Sequence, residues 1–326
     1  MQEMDAVEEQ ALVLPEKRSA RRHSLKYDLI PVLMTMIWGA TFLVTKDTLK
    51  LVGPFTYLSL CYLVATITLV VIFHKRLRRI TRAELLCGLL IGMVLFAGYA
   101  FQTVGMQWTS VSKAGFLTGL YVPLVPLFAL LFLRQRIALT AWIGVLLSLV
   151  GLFLLSVNKQ LSLSLGLGEW FLLACAFAFA LQIVLISKFA PALDAINLAI
   201  IQLALTALLS LIAVPLHREP LAAPPLLAWI PICLVGMLDM AFTLVSMNWV
   251  QQYISSTRAA LIYSLEPLWA ALFGVLLAGD VLGLLAWIGC GCIFVGMIVG
   301  RLENVSFRRR RTRETGKDEQ LSELVL

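Results

Sequence analysis

Ten times along this chain a run of roughly twenty apolar residues occurs, the length that crosses a bilayer core of about 30 Å as an α-helix. The runs lie at about 29–45, 54–73, 85–106, 114–133, 138–157, 170–187, 195–216, 226–249, 259–278 and 281–300. Eight contain no Asp, Glu, Lys or Arg; the other two are interrupted once each, by Asp239 and by Glu266. Inside lipid every backbone N–H and C=O must find its partner within the protein, so such runs fold as helices. With 60% hydrophobic and only 14% charged residues, the excess of apolar side chains does not describe one large soluble core. The expected class is all-α and integral to the membrane, with ten transmembrane helices.

Orientation follows from the cations. With both tails on the cytoplasmic side, 21 of the 26 Lys and Arg fall inside and 5 outside, and the single loop HKRLRRITRAE (74–84) supplies five of them. Cytoplasmic segments carry this excess, so both termini are expected to be cytoplasmic. Residues 1–27 and 301–326 read as disordered basic tails. Residues 1–27 show no apolar core of the signal-peptide kind. A basic tail can also bind nucleic acid, but tails that flank spans have an orienting role already, and no nucleic-acid partner is expected. The expected partners are the lipid bilayer and a small molecule.

The chain also repeats itself. AWIGVLLSLVG (141–151) matches AWIGCGCIFVG (286–296), VGMQW (104–108) matches VSMNW (245–249), and KAGFLTGLYVPLVPLFALLF (113–132) matches TRAALIYSLEPLWAALFGVL (257–276), in the same order. Residues 28–158 and 168–300 therefore read as two copies of one five-helix unit. Five is odd, so the second copy enters the membrane inverted, an arrangement typical of transporters. Gly144 and Gly151, Gly289 and Gly296, and the pair Gly88 and Gly92 are placed to let helix backbones approach closely.

These motifs resemble the drug/metabolite transporter superfamily and, within it, the ten-span EamA-type transporters. The resemblance is carried by WGATFLVTK (38–46), KAGFLTGLYVPLVPLF (113–128), STRAALIYSLEPLWAALFG (256–274) and the paired WIG helices. It implies an inner-membrane carrier that moves small metabolites or drugs without ATP, usually outward. The chain departs from the family pattern at Cys61, where an Arg is frequent, at Gln135, where an acid is frequent, at Asp280, which replaces Glu, and in having Asp239 at all.

The residues that stand out are those a lipid environment penalises. An ionised carboxylate at depth costs at least about 2.5–3.5 kcal/mol, so Glu266 and Asp239 are expected to face a cavity, a partner or a proton. For Glu266 the readings are substrate or proton binding, or a hydrogen bond to backbone freed by Pro267. For Asp239 they are a proton or cation relay, or a structural contact with a polar neighbour such as Asn248. Pro123 and Pro267 occupy matching positions and are expected to kink their helices, Pro267 freeing the carbonyl of Tyr263. Trp38, Tyr99, Gln102, Tyr121, Gln182 and Tyr263 are amphipathic groups within spans that suit a pathway for amino acids or amphipathic drugs. Arg258, at the inside end of its span, and Lys113, at the outside end of its own, read as snorkelling cations or as a pair of gate charges at opposite mouths of the pathway.

Little points elsewhere. The three histidines, His23, His74 and His217, lie outside the apolar runs, and no catalytic set accompanies them, so no enzyme is expected. The six cysteines sit in apolar runs without metal-site spacing. No metal or cofactor is expected. The chain reads as a secondary-active carrier working by alternating access. Export of small metabolites, with protons as the coupling ion, is the first reading; uptake or nucleotide-sugar-type exchange is the second.

Overall fold

The computed structural model describes residues 26–77, 80–109, 111–135, 137–156, 166–220, 223–278 and 283–301. Both tails, Asp280 and most of the loop after residue 156 lie outside the described residues. All regular structure among the described residues is helical. In chain order the helices are α1 (Lys26–Thr48), α2 (Pro54–Leu77), α3 (Arg82–Gly105), α4a (Val111–Gly119), α4b (Tyr121–Leu133), α5 (Leu139–Ser156), α6 (Leu167–Phe189) and α7 (Ala195–Leu216). They continue with α8a (Leu226–Leu234), a π-helical stretch (Val235–Phe242), α8b (Thr243–Val250), α9a (Ser256–Tyr263), α9b (Glu266–Ala278) and α10 (Leu284–Arg301).

Eight of these, with the broken helices counted as units, are long and apolar enough to cross a membrane. The sequence pattern leads one to expect ten. The remaining two, Leu139–Leu155 and Leu284–Gly300, are apolar but shorter. At 1.5 Å per residue each is about 26 Å long, slightly less than a typical hydrocarbon core.

The helix starts follow from local chemistry. Thr81 and Glu84 form a reciprocal capping box on α3, with Thr81 N–H donating to Glu84 Oε2 at 2.8 Å and Glu84 N–H to Thr81 Oγ1 at 3.2 Å. Such pairs satisfy the orphan donors of a first turn. Asp194 caps α7 by accepting from the N–H groups of Ile196 and Asn197, and Ser255 caps α9a by accepting from Arg258 N–H. The cap of α2 is remote. Glu219, in the segment after α7, accepts from Phe55 N–H at 2.9 Å, Thr56 N–H at 2.8 Å and Thr56 Oγ1 at 2.8 Å.

Packing joins helices distant in sequence. α5 lies on α10, α2 on α7, α3 on both α6 and α7, α1 on α9b, α4b on α6 and on α9a, and α2 on the π-helical stretch. The α5–α10 contact runs along glycines. A Cβ on Gly144 would stand 2.6 Å from the Gly296 carbonyl oxygen, and one on Gly296 would stand 2.7 Å from that of Gly144. Gly151 and Gly289 face each other in the same reciprocal way. Gly88 and Gly92 meet Ile201 and Gln202 of α7. Inside, Gln202 donates to Asn248 at 3.0 Å, tying α7 to α8b where neither residue reaches solvent. Large apolar side chains such as Leu63, Ile67, Val71, Leu90, Leu131 and Phe153 point outward, as lipid-facing positions require.

Candidate functional site

Two helices break at the same depth of the bundle. α4a ends at Gly119 and α4b starts at Tyr121; α9a ends at Tyr263 and α9b starts at Glu266. The prolines do not kink helix interiors, as the sequence suggests. Pro267 is the second residue of α9b and Pro123 the third of α4b. The reason is steric and electronic. Proline disfavours α geometry in the residue before it and lacks the N–H that a first turn leaves unpaired, so it opens a new helix more readily than it bends an old one.

Beside these breaks lies a cavity that opens to the surface. Its wall brings together all eight pathway candidates read from the sequence: Glu266, Asp239, Trp38, Tyr99, Gln102, Tyr121, Gln182 and Tyr263. They come from α1, α3, α4b, α6, the π-helical stretch, α9a and α9b. The wall also includes Thr41, Thr45, Tyr57, Tyr62, Phe179, Thr243 and Met247, which the sequence reading does not single out. Thr41 and Thr45 follow Trp38 at spacings of three and seven, one helical face of α1; that spacing was the available signal.

Asp239 sits mid-way along the π-helical stretch, a backbone form that recurs at functional sites. It is 7% exposed. Thr41 Oγ1 lies 2.7 Å from Asp239 Oδ2 and 2.9 Å from the Ile37 carbonyl oxygen. Asp239 Oδ1 has no hydrogen-bond partner among the described residues. The sequence offers Asn248 as a neighbour for Asp239; the structure gives that role to Thr41 and pairs Asn248 with Gln202. Next to this carboxylate, Trp38 Nε1 donates to Thr243 Oγ1 at 3.2 Å, and the Thr243 hydroxyl donates to the Asp239 carbonyl. Glu266, the first residue of α9b, is half-buried at the cavity wall. No hydrogen bond between the Glu266 carboxyl and the backbone at the Pro267 break is found among the described residues.

The rest of the wall is a braced aromatic surface. Trp38 meets Tyr263 edge-on with centroids 5.2 Å apart, and Tyr99 stands between Tyr62 at 5.5 Å and Phe179 at 5.1 Å. Tyr57 and Thr45 share a hydrogen bond at 2.8 Å. The wall extends to Thr45, Tyr57 and Met106, each within a turn of the helix ends at Thr48, Pro54 and Gly105.

Arg258 lies apart from the cavity, near the opposite ends of these helices. It is buried, 4% exposed, and paired with Asp28 of α1, itself 8% exposed. A snorkelling cation would reach for water; this one turns inward. Around it Tyr27 stacks on Tyr253 at 4.4 Å and contacts Trp249 at 5.4 Å. Gln251 accepts from Ser187 at 2.8 Å and donates to Tyr263 at 3.4 Å. The side chain of Lys113 lies outside the described residues.

A membrane bundle with carboxylates at depth, beside two interrupted helices, has the make-up of a transporter. The comparison with known families agrees. The model of the EamA-like transporter family matches residues 25–157 and again residues 166–300. The chain belongs to this family, within the drug/metabolite transporter superfamily, and is a transporter rather than an enzyme. An uncharacterized transporter of Archaeoglobus fulgidus is 29% identical over 274 residues, 83% of this chain and 84% of that protein. The uncharacterized inner membrane transporter YedA of Escherichia coli K12 is 26% identical over 280 residues, 83% of this chain and 89% of the relative. One protein crystal structure has a TM-score of 0.71 at 19% identity, covering 85% of this chain and 98% of the other; that likeness is one of fold.

Proposed function

We propose that this transporter is a secondary-active exporter of small metabolites that works by alternating access in the inner, or plasma, membrane. The location is that of the relative YedA. In this reading α5 and α10 are spans as well, making ten, and residues 28–158 and 168–300 are inverted five-helix repeats with both termini cytoplasmic. The family model matches each half once. The contacts support the same pairing. α2–α7, α5–α10 and α4b–α9a join counterparts, α1–α9b mirrors α6–α4b, and α2 on the π-helical stretch mirrors α7–α3. The two helix breaks fall within one residue of each other when Pro123 is set on Pro267.

The observation that carries the proposal is the cavity. Two carboxylates line it, its wall reaches the helix ends near Thr48 and Pro54, and the opposite end is occupied by the Arg258–Asp28 pair and the Tyr27, Trp249 and Tyr253 cluster. We read that cluster as the closed cytoplasmic gate, with Lys113 as the candidate charge at the other mouth. Asp239 suits a proton carrier. As a carboxylate it accepts from Thr41; as an acid it donates to Thr41, whose own proton then goes to Ile37. Nucleotide-sugar exchange is disfavoured, because among the described residues no Lys or Arg lines the cavity to meet a phosphate.

The test is efflux from cells with and without the protein, preloaded with labelled amino acids, nucleosides and cationic dyes, with the proton gradient intact and then collapsed. Gradient-dependent loss of one compound class is expected. No excess loss, with the protein shown to be in the membrane, would refute export.

A further inference from the structure

The charge inventory of the cavity is one-sided. Among the described residues its wall contains Asp239 and Glu266, and no Lys, Arg or His. Arg258 is committed to Asp28. Asp239 keeps one carboxylate oxygen without a hydrogen-bond partner among the described residues, although the residue is more than nine-tenths buried. Buried acceptors are ordinarily satisfied, so an open one beside a cavity asks for a donor from elsewhere. Glu266 adds a second acidic group on the same wall.

Opposite charges and N–H donors answer that demand together. A neutral apolar guest would leave both carboxylates unanswered. An anion would be repelled. A free amino acid would satisfy them with its ammonium group but bring a carboxylate that no cationic side chain of the wall can meet. The start of α9b, a position that could hold an anion, is occupied by Glu266 itself. The aromatic surface narrows the class further. Trp38, Tyr99, Tyr121 and Tyr263 present ring faces and edges, which suit a flat apolar body and attract a cation through the ring quadrupole.

We infer that the cavity selects protonated amines carrying a flat apolar body, the ammonium group held by Glu266 and Asp239 and the body against the aromatic wall. This rests on the carrier reading of the same cavity and adds the class of substrate to it. Charge at the nitrogen and absence of a carboxylate are the two features that the site distinguishes.

The purified full-length protein tests this with four compounds that share one ring: tryptamine, tryptophan, indole-3-acetate and 3-methylindole. Binding is measured by equilibrium dialysis in detergent, and exchange by counterflow in proteoliposomes. Tryptamine is expected to bind and exchange, with the other three at least about tenfold weaker. Glu266→Gln is expected to weaken tryptamine binding roughly ten- to a hundredfold, the loss of one charge-assisted contact, while its unfolding temperature and elution remain those of the parent. The comparison of the four compounds on the unaltered protein needs no variant, so a misfolded Glu266→Gln does not decide the matter. Tryptophan, the acid or the neutral indole binding as tightly as tryptamine overturns the amine assignment while their exchange upholds the carrier. Exchange of none of the four by folded, reconstituted protein overturns the amine assignment, and the efflux panel above then decides the carrier reading separately.

Discussion

Replacing Gly151 by Ala puts one methyl group into the backbone-to-backbone contact of α5 with α10. Its Cβ would stand 2.5 Å from the Gly289 carbonyl oxygen, 2.7 Å from Ile293 Cγ1 and 2.8 Å from Ile293 N. Two of these three neighbours are backbone and have no rotamer to change. Ordinary contact begins near 3.4 Å, so α10 must retreat by about 0.9 Å. A gap of that size forfeits about a quarter to half of each dispersion contact along the seam, and overpacking of this kind costs about 1–3 kcal/mol. Lipid offers no hydrophobic compensation, because helices in a membrane associate through packing itself. Gly289→Ala meets the reciprocal obstacle, 2.6 Å from the Gly151 carbonyl oxygen, and is expected to cost the same. The double variant is expected to cost clearly less than the two together, since a seam already opened by one methyl accommodates the second. Gly291→Ala is the control on the same helix: nothing lies within 4 Å of its Cβ, and alanine favours the helix by about 1 kcal/mol. Thermal unfolding of the four purified variants in one detergent checks this. Equal losses for Gly289→Ala and Gly291→Ala, or strict additivity in the double variant, would show that the seam is not set by backbone contact.

Three further outcomes are expected. Glu219→Ala removes the acceptor for two N–H groups of the first turn of α2 and should lower stability by about 1–3 kcal/mol, read by thermal unfolding, with α2 becoming the first segment to exchange its amide hydrogens. Arg258→Met strands a buried Asp28 and should cost about 3–5 kcal/mol, whereas Arg258→Met combined with Asp28→Leu should recover most of it. If the pair also latches the cytoplasmic gate, the double variant should let substrate leak in counterflow without an imposed gradient, and a tight, inactive double variant would argue against the latch. Asp239→Asn should abolish proton-driven uptake into inverted vesicles but only weaken downhill exchange, which loses one of two ammonium contacts; loss of both to the same degree would remove Asp239 from coupling.

What could be read in advance was what lipid enforces locally. Apolar length marks helices, and a carboxylate such as Glu266 in an apolar run marks a cavity wall, because every alternative is expensive. Glu266, Asp239 and the six amphipathic candidates line one cavity. Contacts made across long sequence distances were not legible. Asp28 and Arg258 each sit where a span meets a polar segment, and there a cation has an adequate explanation in snorkelling; their pairing across 230 residues becomes visible only once α1 packs beside α9a. Glu219 looks like any loop acid until it is found on the first turn of α2, more than 160 residues earlier. Thr41 was passed over because a threonine in a membrane helix usually bonds its own turn. Here it does so with Ile37 and also reaches Asp239. The π-helical stretch left no trace in the residue pattern.

The scaffold and the site obey different rules. Breaks, glycine seam and helix pairings recur in both halves of the chain, as the alternating-access device proposed above requires. The charges do not recur. Val122 occupies the position in the first half that Glu266 holds in the second, and it is fully buried, at 0% exposure. Both carboxylates come from the second half, while Trp38, Tyr99 and Tyr121 bring aromatic rings from the first. A cavity with a carboxylate at each symmetry-related position would confront its substrate with the same face twice and could not orient it. Confining the acids to one side makes the second half the source of charge, while the aromatic surface comes from both, Phe179 and Tyr263 joining the rings of the first half. Transferring the charge tests this division. Val122→Glu in a Glu266→Val background keeps the count of acids and the duplicated scaffold but moves one acid to the other half. If the sides are specialised, this exchange fails to restore transport although the protein folds. Restored transport would mean that the two halves are interchangeable and that only the number of acids matters.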